Sequence, residues 1–350
     1  MQLPESRDPV EDLKSIAFRL ERAGEPSYRV RAFRNAAQTL AALTLDDIRE
    51  RAGAGRLQEL AGIGEVTAKA VLESLAGDEP AYLAKLTDAN VLPDPGSGGE
   101  LRAALRGDCH THSDWSDGGS PIREMAEAAR EIGHEYVVLT DHSPRLKIAN
   151  GLSAERLVEQ LDVVAGLNAE FAAAAAKGEA PPLRILTGIE CDILDDGALD
   201  QSDALLARLD VVVASVHSKL RMGRDAMTER MVRAVANPHT DILGHCTGRL
   251  VTGKGRPESE FDPELVFEAC RQFGTAVEIN SRPERLDPPR RLLSLAVEMG
   301  CEFSIDTDAH APGQLTWQPF GCARAAQCGV PADRVINTKP ADELLGWART

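Results

Sequence analysis

Gly107-Asp-Cys-His110-Thr-His112-Ser-Asp-Trp-Ser-Asp117-Gly118 is the stretch that decides how this chain of 350 residues is read. If the run up to His112 is a strand, alternate side chains share a face, and the imidazoles of His110 and His112 point the same way. Asp117 follows five residues later. Neutral imidazoles and a carboxylate together suit a divalent transition metal such as zinc, manganese or iron. One His-x-His is weak support, because a strand can carry two exposed histidines without purpose. The deciding question is whether the rest of the chain brings further ligands to meet it.

From Arg106 onward, short apolar, β-rich runs alternate with helical stretches. Strands are expected near 106–111, 135–141, 184–192, 210–217, 241–245, 276–280 and 302–307. Helices are expected at Pro121–Glu131, Ala154–Ala176, Met227–Ala236, Pro263–Phe273 and Pro289–Met299. Repeated βα units imply a parallel sheet. Seven strands in about 240 residues suggest a barrel with its active site at the C-terminal strand ends.

Those ends carry metal-capable side chains. Asp141 and His142 close the second strand, Glu190 sits in the third, and His217 ends the fourth. His245 ends the fifth, and Asp308 and His310 the seventh. Any one histidine after an apolar strand is more often structural than a ligand. Six of the eight histidines at such positions is hard to obtain by accident. His134 and His239 precede strands, at the opposite end, and are given no role.

The length allows one large domain plus a small one. No run approaches the ~18 apolar residues needed to cross a bilayer. The start, Met1 to Pro9, lacks the pattern of a signal peptide. Seven cysteines, an odd number without Cys-x-x-Cys, do not make a disulfide framework. A cytoplasmic protein is expected. The net charge of −16 argues against a general electrostatic grip on nucleic acid or anionic membrane, although bound cations would neutralise part of it. Locally the balance reverses. Lys14, Arg19, Arg22, Arg29, Arg31 and Arg34 face only Glu21 and Glu25 between residues 14 and 34.

Residues 9–45 read as two helices, with apolar stripes at Val10, Leu13, Ile16, Ala17, Leu20 and at Val30, Phe33, Ala36, Ala37, Leu40. Residues 46–76 continue as short helices around Gly62-Ile-Gly64. A Gly-x-Gly that opens a helix lets backbone N–H groups approach a phosphate, or it is simply a tight turn between packed helices. Residues 91–100 are rich in Pro, Gly and Ser. Three parts are expected: a helical module over 1–90, a linker over 91–105 and a barrel over 106–350.

Tyr28-Arg-Val-Arg-Ala-Phe-Arg-Asn-Ala-Ala and Leu57-Gln-Glu-Leu-Ala-Gly-Ile-Gly resemble the N-terminal domain of bacterial family X DNA polymerases and its helix-hairpin-helix turn. The resemblance implies a grip on the DNA backbone, with Arg29, Arg31, Arg34, Gly62 and Gly64 as contact candidates. The lysine that some members use as a Schiff-base lyase falls here at Ala70, beside Lys69, so lyase chemistry is not carried over. The polymerase palm has no room before Arg106, and no polymerisation is expected.

From 106 onward the chain is similar to the PHP (polymerase and histidinol phosphatase) family, through Leu243-Gly-His-Cys-Thr-Gly-Arg-Leu, Glu278-Ile-Asn-Ser-Arg-Pro-Glu-Arg-Leu-Asp and Thr307-Asp-Ala-His. The resemblance implies a small all-α helix-hairpin-helix domain followed by a distorted seven-stranded (β/α) barrel. It also implies up to three divalent ions (Zn, Mn or Fe) held by His110, His112, Asp117, His142, Glu190, His217, His245, Asp308 and His310. Paired metals make hydroxide available from a shared water at neutral pH, and Glu190 is the natural bridging carboxylate. Arg249, Lys219 and Arg282 follow strand ends and are candidates to neutralise the substrate's other oxygens, Arg249 foremost. Cys109, Cys191 and Cys246 each adjoin a ligand, and alternation makes them core residues.

The leading expectation is a metal-dependent phosphodiesterase on DNA ends, a 3′–5′ exonuclease or 3′-end-processing enzyme in repair. A small-molecule phosphatase resembling histidinol phosphatase is the enzymatic alternative, favoured by the acidity. A non-catalytic DNA-end-binding protein is the alternative outside enzymes.

Overall fold

The computed structural model describes residues 7–89 and 98–348. The chain divides into two compact units, Met1–Leu92 and Pro93–Thr350.

The first unit is helical: α1 (Pro9–Arg22), α2 (Ser27–Ala41), α3 (Leu45–Gly53), α4 (Glu65–Leu75) and α5 (Ala81–Ala89). α1 starts where the sequence supplies a start. The Asp8 carboxylate accepts the Val10 N–H at 2.8 Å, Pro9 fills the first turn, and Arg19 and Arg22 close the last. Its buried stripe of Leu13, Ile16, Ala17 and Leu20 joins Phe33, Ala36, Ala37 and Leu40 of α2 in one core. Burying each such large side chain is worth about 1.5–3 kcal/mol. A bidentate pair also links the two helices: Arg34 Nε and Nη2 each lie 2.8 Å from a Glu21 carboxylate oxygen. At the turn before α4, Gly62 takes φ +78°, and an added Cβ would stand 3.3 Å from Asn35 Cβ.

The second unit holds a seven-stranded parallel sheet in simple order, β1 (Gly107–Thr111), β2 (Tyr136–Leu139), β3 (Arg184–Asp192), β4 (Val211–Ser215), β5 (Ile242–Leu243), β6 (Ala276–Asn280) and β7 (Phe303–Asp306). A bridge between Thr111 and Ala309 brings the last strand back to the first, so the barrel nearly closes. Tyr136, Val138, Leu186, Val211, Val213, Ile242 and Ala276 share one buried cluster, as alternate residues of a barrel interior do. The opposite strand faces pack under helices such as α8 (Ala154–Ala176), α10 (Arg224–Val235) and α11 (Pro263–Phe273), counting α6 (Gly99–Ala104), α7 (Ile122–Glu131) and α9 (Asp203–Leu206) before them.

Two local details differ from the sequence reading. The register of β1 shifts between Asp108 and Thr111. Such an irregularity re-aims side chains, and Cys109 joins the interior cluster with Tyr136 while Cys191 and Cys246 pack on the outer side. Of the expected linker, residues 91–97 lie outside the described residues, but 99–104 form α6. Leu101 and Leu105 are buried in the core of the second unit, and Gly98 passes so near the Cys322–Ala323 backbone that a Cβ would meet it at 2.5 Å. Apolar spacing at Leu101 and Leu105 overrides the Gly-rich composition before it. No helix among the described residues is long and apolar enough to cross a membrane.

Candidate metal centre

On β2 to β6 the interior face carries apolar residues lower down, and polar side chains converge at the C-terminal ends. Glu190 of β3 is the centre. Its Oε1 lies 3.1 Å from His217 Nε2 and 2.9 Å from His245 Nε2. Its Oε2 lies 3.3, 3.6 and 2.9 Å from His110 Nε2, His112 Nε2 and His142 Nδ1. Asp308 adds an oxygen 3.4 Å from His112 Nε2, and Asp117 one 3.4 Å from both His142 Nε2 and His310 Nε2. Ligand atoms fall into three groups, each within 4.8 Å: His112, Asp117, His142 and His310; His110, His112 and Asp308; His142, Glu190 and His217. The nine residues named from the sequence therefore stand together, His245 through Glu190.

Whether a cation fits can be judged from unmet atoms. His110 Nε2, both ring nitrogens of His112, His142 Nδ1, His217 Nε2, His245 Nδ1 and Glu190 Oε2 are buried without a hydrogen bond. An unmet buried polar atom costs about 1–3 kcal/mol. So many converging on one another are relieved together by divalent cations, which take lone pairs from imidazole and carboxylate.

The electrostatics agree. Burial alone would raise the Glu190 carboxyl, yet His217, His110 and His142 hold it well below the usual carboxylate range. Burial likewise opposes ionisation of Asp308, and the His112 hydrogen bond with Arg285 and Arg282 overcomes it. Burial, His310 and His142 push His112 far down, so it is neutral and able to ligate. His217 goes the other way: against burial, Glu190 and Asp192 raise it to about 9. Carboxylates that draw a proton onto His217 are calling for positive charge, which a metal supplies in its place.

Several residues that sequence reading missed aim this set. Glu278 Oε1 lies 2.5 Å from His110 Nδ1, and its Oε2 accepts the His245 N–H at 2.5 Å. Asp192 Oδ1 meets His217 Nδ1 at 2.7 Å, and the Asp308 carbonyl meets His310 Nδ1 at 2.8 Å. Asp308 itself adopts φ +54°, a conformation that costs a non-glycine residue about 1–3 kcal/mol and clusters at functional sites. Asp141 faces away from the centre: its oxygens accept from Ser113 Oγ at 2.6 Å, Ser116 Oγ at 2.5 Å and Gln160 Nε2 at 2.7 Å, which pins the loop carrying Asp117.

A cavity of about 420 Å³ opens above the cluster. Its cationic wall is Arg256, Arg282 and Arg285. Arg285 Nε donates to Asp308 Oδ2 at 3.1 Å, while its Nη1 is buried without a partner. Of the substrate candidates read from the sequence, Arg282 lies there, 3.7 Å from Asp308. Arg249 does not. It donates through Nε to the Arg285 carbonyl at 3.0 Å and through Nη2 to that of Leu286, so it braces the loop that carries Arg285. Lys219 also turns away, its Nζ 2.6 Å from Asp195 on the exposed surface. The motif Glu278 to Asp287 had held both Glu278 and Arg285, but spacing alone cannot rank its charges.

In the helical unit, Arg34 is taken up by buried Glu21 and is a strut rather than a contact surface. Arg29 is half exposed beside Glu25, at 2.8 Å, and Arg31 is exposed. The Gly64 N–H is donated to Thr67 Oγ1 at 2.9 Å.

A parallel barrel with a buried His/Asp/Glu cluster and an arginine-walled cavity defines a metal-dependent phosphoester hydrolase. The chain belongs to the PHP family: the PHP domain model matches residues 108–282, half of the chain, and a helix-hairpin-helix domain model matches residues 5–79. It is similar to the DNA polymerase/3′-5′ exonuclease PolX of Bacillus subtilis, at 42% identity over 70% of this chain. The chain spans only 41% of that relative's length. A probable phosphatase of Thermoanaerobacter sp. is 28% identical over 66% of this chain and 89% of its own. The crystal structure of histidinol phosphate phosphatase from Lactococcus lactis, complexed with zinc, L-histidinol and phosphate, matches with TM-score 0.44 and 18% identity, covering 64% of this chain and 94% of that one.

Proposed function

We propose that this protein hydrolyses phosphodiesters at DNA ends, as a 3′–5′ exonuclease or 3′-end-processing enzyme in DNA repair. The observation that carries the reading is the nine-residue cluster, six of its members buried, beneath an arginine-walled cavity, in a chain that also bears a helix-hairpin-helix domain. His110, His112, Asp117, His142, Glu190, His217, His245, Asp308 and His310 would hold up to three divalent ions. When bound, such ions polarise a phosphoryl oxygen and acidify a water. The protein's own share is positional. Glu278 and Asp192 fix the imidazole tautomers, and Arg285, with an unpaired buried Nη1, and Arg282 bind the non-bridging oxygens and hold the phosphorus in line. Arg29, Arg31 and the Gly62–Gly64 turn bring the DNA backbone.

A small-molecule phosphatase is the second reading. The net charge of −16 and the near full-length match to a probable phosphatase favour it. A labelled 3′-ended oligonucleotide and a small phosphomonoester, each given to the parent and to Arg31→Ala, separate the two. On the DNA reading the oligonucleotide is the better substrate and Arg31→Ala slows only its cleavage. A preference for the phosphomonoester with no effect of Arg31→Ala rejects it. His112→Ala and Glu190→Ala should lose metal and hydrolysis together, and full occupancy by elemental analysis would remove these residues from the metal.

A further inference from the structure

Beyond the sheet, something other than strand pairing has to hold the chain ends that supply the site. β3 and β4 pair only as far as Asp192 against Ser215, with one more bond from Ile193 N to the Ser215 carbonyl at 2.8 Å. His217 lies two residues past the end of β4. Its ring is nonetheless held to a fixed place. Nδ1 meets Asp192 Oδ1 at 2.7 Å, and Nε2 stands 3.1 Å from Glu190 Oε1.

Arg230 takes over where the pairing stops. It belongs to α10, with Met227, Met231 and Ala234 buried around it on the helix, and is 1% exposed. Its Nε donates to the Leu194 carbonyl at 2.9 Å and to that of Ile193 at 3.2 Å, and its Nη2 also reaches the Ile193 carbonyl. Its Nη1 donates to the Ser218 carbonyl at 2.9 Å. Ile193 directly follows Asp192, and Ser218 directly follows His217. One guanidinium therefore spans the two segments that carry the hydrogen-bonded pair. Gly197 lets the first segment lie down on α10: its φ is +86°, and an added Cβ would stand 2.7 Å from the Arg230 carbonyl.

Packing alone does not call for a charge here. Burying an ion away from its counter-ion is costly. Among the described residues, the one carboxylate near Arg230 is that of Asp195, with Oδ1 4.0 Å from Nη2. What the guanidinium supplies is geometry, a rigid planar fork that fixes several carbonyls at once. We propose that Arg230 is a positioning residue of the metal centre. By joining the ends of β3 and β4 it sets Asp192 against His217 and so aims the His217 ring at Glu190. The inference rests on the metal-centre reading and is independent of whether the substrate is DNA or a small phosphoester.

The test is a cycle of four full-length proteins: the parent, Arg230→Lys, His217→Ala and the double variant. Lysine keeps the charge and loses the fork. Zinc binding to each metal-free protein is titrated against a chelator of known affinity, with folding checked by circular dichroism. Arg230→Lys should loosen one equivalent of zinc about tenfold, as loss of a partner that orients a metal-binding histidine does, and leave any other equivalent unchanged. In the His217→Ala background it should add nothing, because Arg230 acts through that ring. Excess zinc should restore hydrolysis of a small chromogenic phosphoester to Arg230→Lys. Equal loosening in both backgrounds overturns the proposal, since Arg230 would then act on the site at large. Unchanged zinc affinity in folded Arg230→Lys also overturns it. If the lysine variant does not fold, Arg230→Gln replaces it, and failure of both to fold makes Arg230 a residue of the fold and rejects the positioning role. A parent that binds neither zinc nor manganese overturns the metal-centre reading and this proposal with it.

Discussion

Replacing Glu278 by glutamine tests whether the histidines are aimed or merely gathered. Glu278 is fully buried, with one oxygen 2.5 Å from His110 Nδ1 and the other accepting the His245 N–H at 2.5 Å. A carboxylate serves both neighbours, but an amide has one oxygen and must turn its NH₂ towards the other. If the NH₂ faces His110, the ring must present a lone pair at Nδ1 and carry its proton on Nε2. That is the atom 3.3 Å from Glu190 and 4.0 Å from Asp308, where a metal needs the lone pair. If the NH₂ faces the His245 amide, two donors meet, and an unmet backbone N–H costs about 1–3 kcal/mol. Loss of the partner that orients a metal-binding histidine weakens metal affinity about 10- to 100-fold, or roughly 1.4–2.7 kcal/mol. Zinc or manganese occupancy, titrated against a chelator of known affinity, should shift by that factor. Hydrolysis should fall at limiting metal and recover in excess metal. Unshifted metal affinity in a folded Glu278→Gln protein would refute the orienting role.

Arg34→Ala breaks a buried pair and should destabilise the helical unit by about 3–5 kcal/mol, seen as an earlier loss of helical circular dichroism. Exposed Arg31→Ala should stay within about 0.5 kcal/mol of the parent yet flatten the salt dependence of oligonucleotide binding by about one unit; the reverse pattern would return Arg34 to the DNA surface. Asp241 accepts the Val212 N–H at 2.7 Å, and burial pushes its carboxyl from 3.8 up to about 7. Between those values the folded chain keeps a proton that the unfolded chain releases, so its contribution to stability falls as pH rises through that window. Asp241→Asn keeps the acceptor and should match the parent at the acid end and exceed it above neutrality in urea midpoint; a constant difference across pH would refute this. A fragment starting at Gly98 should fold. One starting at Arg106 loses buried Leu101 and Leu105 and should be weaker by roughly 2–5 kcal/mol for each, measured by denaturant midpoint.

What local pattern can encode was already present in the linear chain. Each strand needs only a short apolar run, and metal-capable side chains gather at the strand ends, so the βα order and the grouping of histidines were legible without contacts, while the resemblance to the PHP family singled out the nine. The strand expected at 241–245 narrows to Ile242–Leu243, the apolar pair of that stretch. Residues whose meaning lies in a partner were not legible. Glu278 meets His110 across 168 residues and Arg230 meets the Ile193 carbonyl across 37, and spacing records neither. The same limit misled the reading of cations. Arg34, Arg249 and Lys219 look alike in sequence to Arg282 and Arg285, but Glu21, two backbone carbonyls and Asp195 claim the first three. A side chain's type and strand phase are local properties. Which opposite charge reaches it first is fixed only when distant segments pack, and that choice separates a strut from an arginine that lines the cavity.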